Sequence, residues 1–250
     1  MQEAVGSGWF QPPTPGPRSL TPVFEGGGMA RKRQAQIIDL TRKITHEMWN
    51  FSGEPRPGFV HFGDVADIGF RCTQVLMPTH FGTHTDAYTH FLPGGVPIDR
   101  MPLGKYVGLA VVLDVRRRPD RARVTRRDLE AAWPAGATAP RVLVNTGWGE
   151  RVKGPAYFKD FPGIEAEAAR WLIRRKVILL GLDLPSVHPT EYKRVHEMLF
   201  RAGVGVTEGL INLSRLPRGE VFFIGLPLAL AGLDGSPIRA VAIVGDADTS

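Results

Sequence analysis

The chain predicts an α/β fold in a single domain, and three observations carry that prediction. Apolar runs of strand length recur between residues 36 and 244, capped segments with helical spacing separate several of them, and no compositional break divides residues 35–250. The strand candidates, in order, are QIIDLT (36–41), TQVLM (73–77), LAVVLDV (109–115), RVLVNT (141–146), KVILLGLD (176–183), VGVTE (204–208), VFFIG (221–225) and IRAVAIV (238–244). Each is short and rich in β-branched or aromatic residues. Between them, Thr125 and Asp128 have the spacing of a capping box, which opens a short helix. The segment IEAEAARWLIRR (164–175) places apolar residues on one helical face. A further helix, 190–202, ends before Gly203, a residue suited to a left-handed cap.

Residues 1–34 include FQPPTPGPRSLTP and EGGG, too poor in periodic apolar positions for a packed element. They are expected to form a flexible N-terminal arm ahead of a domain spanning 35–250; the alternative is an ordered arm whose Trp9 and Phe10 dock on a neighbouring subunit. The longest apolar runs fall short of the roughly 20 residues a transmembrane helix needs, and Gly and Pro interrupt them, so no membrane association is expected. The N-terminus lacks the pattern of a signal peptide, and the single Cys72 cannot form an internal disulfide, which favours a cytoplasmic location. The formal charge of +6 comes largely from arginine, above all in RRRPDRARVTRRD (116–128). That run contains a proline and two aspartates and no aromatics to stack on bases, so it reads as a solvated loop and no nucleic-acid partner is expected. A positive field of this kind attracts small anionic substrates.

The chemistry is concentrated in MPTHFGTHTDAYTHF (77–91), which holds three of the seven histidines. On one helix, Asp86 would lie about 200° round from His84, and Gly82 with Thr83 and Thr85 disfavours a helix in any case. On one strand, His80 and His84 would stand roughly 13 Å apart, too far to share an ion held at about 2.1 Å. Only a turned-back conformation brings His80, His84 and Asp86 together, and Gly82 supplies the backbone freedom for it. Two imidazoles and a carboxylate then suit Zn²⁺ or Mn²⁺ with positions left for water; the plainer reading is a pair of surface histidines on a polar loop. Farther along, His196 falls on the core-facing side of a helix with Tyr192 and Leu199, and Glu208 follows an apolar strand. His196 alone reads as a core histidine, but with Glu208 it would complete a second metal site bridged to the first by a carboxylate.

These residues resemble the cyclase-like metal-dependent hydrolases, the family of bacterial kynurenine formamidase and isatin hydrolase. The family's H-x-G-T-H-x-D-x-P-x-H signature is met by His80, Gly82, Thr83, His84, Asp86 and His90, and the likeness continues through residues 94–115, 142–148, 179–189, the His196 to Glu208 spacing and 235–244. The resemblance implies a swivelling β/β/α fold, one metal on His80, His84 and Asp86, a second on Asp86, His196 and Glu208, and proton transfer by His90. It also implies one or two Zn²⁺ per subunit, with Mn²⁺ as the alternative, and a homodimer or higher oligomer with the active site near the subunit interface. The implied activity is hydrolysis of an amide by metal-bound hydroxide, first an aryl formamide such as N-formylkynurenine, second a lactam such as isatin. A silent metal-binding scaffold is the rival reading, which the retained His90 disfavours. Trp49, Phe51, Phe81 and Tyr88 are candidates to clasp a planar substrate, or are ordinary packing. Tyr88 stands where the signature has proline, and His188 where aspartate is common, open to a role as ligand or as hydrogen-bonding support. No G-x-S-x-G elbow is present, so a serine nucleophile is not expected.

Overall fold

The computed structural model of the protein describes residues 35–51, 53–116 and 122–245. The expected arm, 1–34, with Trp9 and Phe10, and the centre of the arginine run, 117–121, lie outside the described residues. In chain order the elements are β1 (Gln36–Asp39), β2 (Gly58–Gly63), α1 (Val65–Ile68), β3 (Cys72–Leu76), β4 (His84–Asp86), β5 (Val107–Asp114), α2 (Arg126–Ala132), β6 (Arg141–Asn145), α3 (Trp148–Arg151), α4 (Ala166–Arg174), β7 (Leu179–Leu182), α5 (Tyr192–Arg201), β8 (Gly205–Glu208), β9 (Gly219–Ile224), β10 (Gly235–Pro237) and β11 (Val241–Val244).

Nine strands form one mixed sheet in the order β1-β11-β9-β5-β6-β7-β8-β4-β10. Its centre, β5 to β8, is parallel, and β6 and β7 are buried along their whole length. Strands buried on both faces read as continuous apolar runs, which is why the sequence marked them. The flanks are antiparallel: β9 on β5 at one side, β4 on β8 and β10 on β4 at the other. One face packs on α2, α4 and α5 through residues such as Leu129, Leu172 and Leu199; the other encloses a second core around Tyr106, Phe223 and Leu213. The sheet therefore separates two apolar cores.

The caps act as the sequence indicates. Thr125 Oγ1 accepts from the Asp128 backbone N–H at 3.2 Å, Asp128 Oδ2 accepts from the Thr125 N–H at 2.8 Å, and α2 starts there. Helix α5 buries Val195, His196, Leu199 and Phe200, each apolar side chain worth about 1.5–3 kcal/mol when fully buried. Tyr192, expected on that face, is half exposed at the first turn.

Three strands had no signal in the sequence. β4 is three residues long and made of polar site residues, β10 is Gly-Ser-Pro, and β2 begins and ends in glycine. β2 pairs with β3 as a separate ribbon that exposes Val60, Phe62, Val75 and Leu76, with Val65, Ile68 and Phe70 exposed at its tip. No described helix is long and apolar enough to cross a membrane.

Candidate metal centre

Gly82 turns the chain at φ +65°, after which β4 carries His84 and Asp86 on one face. The turn is pressed against the end of β8: Gly209 has φ +69°, and a Cβ there would overlap the Gly82 carbonyl oxygen. Thr83 Oγ1 seals the contact by donating to the Gly209 carbonyl at 2.8 Å. In the β4/β8 register His84 faces Glu208 and Thr85 faces Thr207. Because side chains alternate, His84, Asp86 and Glu208 converge on one face, while Thr207 Oγ1 donates to Thr85 Oγ1 at 3.2 Å on the other.

Asp86 lies at the middle of the cluster. Its Oδ1 is 2.8 Å from His80 Nδ1 and 3.5 Å from His84 Nε2, and its Oδ2 is 3.3 Å from His196 Nε2. Glu208 reaches His196 Nε2 at 3.2 Å and His84 Nε2 at 3.5 Å. Helix α5 supplies His196 with its tautomer fixed: Nδ1–H donates to the Tyr192 carbonyl at 2.9 Å, so Nε2 faces the carboxylates. The donor atoms of His80, His84 and Asp86 lie within 4.8 Å of one another, and so do those of Asp86, His196 and Glu208.

This set fits a divalent cation. Asp86 is fully buried and its Oδ2 has no hydrogen bond of good geometry, an orphaned acceptor of the kind an ion would satisfy. Two buried carboxylates also demand positive charge, and the imidazoles register that demand. Burial alone would lower His80, but the Asp86 charge and the bonds to Asp234 and Asp86 raise it to about 10. His196 is likewise lowered by burial and raised, to about 9, by its bonds to Asp86 and Glu208. Asp86 is pushed up by burial, yet the His80 charge, the nearby His196 ring and the bond to His80 hold it well below the usual carboxylate range. The mixture of nitrogen and oxygen donors suits a divalent metal ion.

His90 stands beside this cluster on the single turn Tyr88–His90, its ring stacked on His80 at 3.7 Å between centroids. The residue that sequence reasoning missed is Asp234. Its Oδ2 lies 3.1 Å from His80 Nε2 and 3.6 Å from His90 Nδ1, and its Oδ1 accepts from Thr79 Oγ1 at 2.9 Å. The bonds to His80 and His90 hold its carboxyl well below the usual range. A signal was present, since Asp234 immediately precedes the 235–244 segment and β10, whose Gly235 pairs with Asp86.

A cleft of about 170 Å³ opens over His80 and His84, walled by Trp49, Phe51, Phe158 and Val152. Of the four proposed clasping aromatics, Trp49 and Phe51 line it. Phe81 does not: it is fully buried, because the Gly82 turn directs it into the core. Tyr88 does not either; it packs on Phe200 with the Lys105 ammonium over its face, and burial raises its hydroxyl to about 12. Among the described residues, His188 is not one of the clustered donors. Its Nδ1 accepts from the Thr190 and Glu191 N–H groups at 3.2 and 2.8 Å, which closes the turn before α5.

The kynurenine formamidase of Geobacillus thermodenitrificans is 36% identical over 207 residues, 81% of this chain and 95% of that protein. A solved structure from Bacillus stearothermophilus, described as a predicted metal-dependent hydrolase, matches at 27% identity with a TM-score of 0.70, covering 84% of this chain and 98% of that one. Isatin hydrolase A from Labrenzia aggregata, solved with benzyl benzoate, matches at 25% identity with a TM-score of 0.74, covering 85% and 94% of the two chains. The Cyclase family model matches residues 38–189, and with these relatives it establishes that the chain belongs to the Cyclase family.

Proposed function

We propose that the protein is a metal-dependent hydrolase of amide bonds, acting first on an aryl formamide of the N-formylkynurenine type. The observation that carries this reading is the buried pair of three-donor clusters sharing Asp86, set under a cleft with aromatic walls. A divalent cation held there by His80, His84, Asp86, His196 and Glu208 supplies Lewis acidity toward a carbonyl and lowers the pKa of a water. We assign Zn²⁺, in one or two copies per subunit, with Mn²⁺ as the alternative.

The chain's own residues do the rest. Trp49 and Phe51 take the aromatic ring between them and orient the amide over His80 and His84. His90 delivers a proton to the leaving nitrogen, the step amides need because an amine anion is a poor leaving group. Asp234 faces His90 Nδ1 at 3.6 Å, a contact that favours a proton there and leaves Nε2 for that transfer. A lactam such as isatin presents the same bond within a planar ring, and the match to isatin hydrolase A supports it as the second substrate class.

The apolar β2/β3 ribbon supports assembly as a homodimer or higher oligomer: a lone hairpin is marginally stable, and this one exposes Phe62, Phe70 and Val75. The one cysteine, exposed on β3, fits a reducing cytoplasm. The test pairs elemental analysis of protein purified without added metal with assays on N-formylkynurenine and isatin. Bound zinc or manganese with formamide turnover is the expected result. Turnover of isatin alone reverses the order of substrates, and no bound metal with no turnover on adding it back ends the proposal.

A further inference from the structure

The geometry points to a carboxylate-recognising subsite in the cleft, built from Arg42, Lys153 and Asn50, which favours aryl amides bearing an acidic side arm over uncharged ones. It rests on the hydrolase reading above and names the residues that would meet the carboxylate carried by a substrate of the N-formylkynurenine type.

Arg42 follows β1 and is held by neutral groups alone. Its backbone N–H donates to Thr83 Oγ1 at 2.9 Å, its Nε to the Gly209 carbonyl at 3.1 Å and its Nη2 to the Gly149 carbonyl at 3.3 Å, and the guanidinium lies 4.2 Å from the centre of the Tyr157 ring. Lys153 Nζ reaches the same Gly149 oxygen at 3.4 Å. Two cations thus meet at one carbonyl, with no carboxylate in ion-pair contact with either among the described residues. Elsewhere arginines near the surface find acids: Arg116 pairs with Asp114, Arg126 with Glu130, Arg194 with Glu191 and Arg239 with Asp39. Placing like charges together without a counter-ion is unfavourable, and a bound anion relieves it.

Asn50 is the second, independent observation. Its Nδ2 is buried and has no hydrogen-bond partner among the described residues, and Asn50 lines the same cleft as Arg42 and Lys153. A buried donor left unpaired marks a place where an acceptor belongs. Arg42 offers the planar fork that matches a carboxylate, already pinned by its Gly209 and Gly149 contacts.

The test is calorimetric binding of kynurenine and of its decarboxylated analogue kynuramine to the protein with its metal as purified, beside the kcat/KM ratio for the two N-formyl derivatives. Kynurenine is expected to bind about tenfold or more tightly at low salt, a preference that shrinks as salt rises. In Lys153→Met and Asn50→Leu both the binding preference and the kcat/KM ratio should fall severalfold toward one. Arg42→Gln should act the same way, but it also cuts the Gly209 and Gly149 contacts, so the exposed Lys153 carries the decision. Equal binding of the two ligands overturns the subsite, and so does a preference that survives in Lys153→Met and Asn50→Leu, since the carboxylate is then held by the metal. Hydrolysis of both formamides with no charge preference removes the subsite and leaves the hydrolase reading standing. A charge preference lost in the variants, with neither formamide hydrolysed, does the reverse.

Discussion

His196 and Glu208 come from a helix and a strand and are 2% and 4% exposed, whereas His80, His90 and Asp234 come from turns and loops with side chains 17%, 30% and 46% exposed. Asp86, on β4, belongs to both groups. The buried half is fixed by sheet register and by the Nδ1 bond of His196, so its donors hold their places whatever is bound. The open half has rings that meet solvent and one another, the access a proton-transfer group would need. On the proposed reading, holding and reacting are thus divided between regular structure and loop.

Breaking the shared residue should have the largest effect. Asp86→Ala removes the acceptor common to both clusters and leaves His80 and His196 without their central partner. Bound metal should be lost together with activity, and elemental analysis beside an assay checks it; retained metal would mean that the two halves bind independently. Next comes His90→Ala, which should lower kcat about 10²–10⁴-fold while metal content stays near wild type. A rate close to wild type would remove His90 from proton transfer. Asp234→Asn should cost about 10–100-fold in activity, because it loosens a ligand and the proton-transfer ring at once without removing either. A loss as complete as that of Asp86→Ala would place Asp234 in the holding half instead.

The smallest effect concerns pH and the stability of metal-free protein. His80 and His196 have folded pKa values near 10 and 9, above the ordinary value of 6.5. Their contribution is therefore complete below about pH 6.5 and is lost as pH rises through 9 to 10. Asp86 and Asp234 are depressed, so their contribution is present above about pH 4 and is lost in acid. Chelator-treated protein should show a falling Tm between pH 6.5 and 10 by scanning calorimetry. Metal-loaded protein should resist that fall, since ligation uses neutral imidazoles. A Tm in chelated protein that stays flat across this range would contradict the imidazole–carboxylate pairing.

Much of this was legible in the residues. The parallel centre of the sheet announced itself because strands buried on both faces are unbroken apolar runs, as in β6 and β7. The α2 cap was readable because Thr125 and Asp128 satisfy each other's backbone locally. The turned-back ligand segment followed from the reach of a metal bond and the freedom of Gly82. What escaped depends on contacts between distant parts of the chain. β10 lacks any strand signature and exists through its pairing with β4. Asp234 lies 144 residues after His90 and meets it only because that pairing brings the two loops together. Phe81 was a candidate to clasp the substrate or to pack, and beside the Gly82 turn it is fully buried.

The facing of His84 by Glu208 has a consequence for how the sheet assembles. Side chains on a strand alternate, so sliding β4 by one residue against β8 would turn His84 and Asp86 toward the threonine side and bring Thr85 to the ligand face. Such a slip would break one strand pair and also dismantle both donor clusters. Three-residue strands carry few ladder bonds with which to define their own alignment. Here the alignment is checked by charge: the native pairing lets two buried carboxylates meet their imidazoles, and a slip of one residue strands them. The centre is thus also a proofreading device for the antiparallel edge of the sheet.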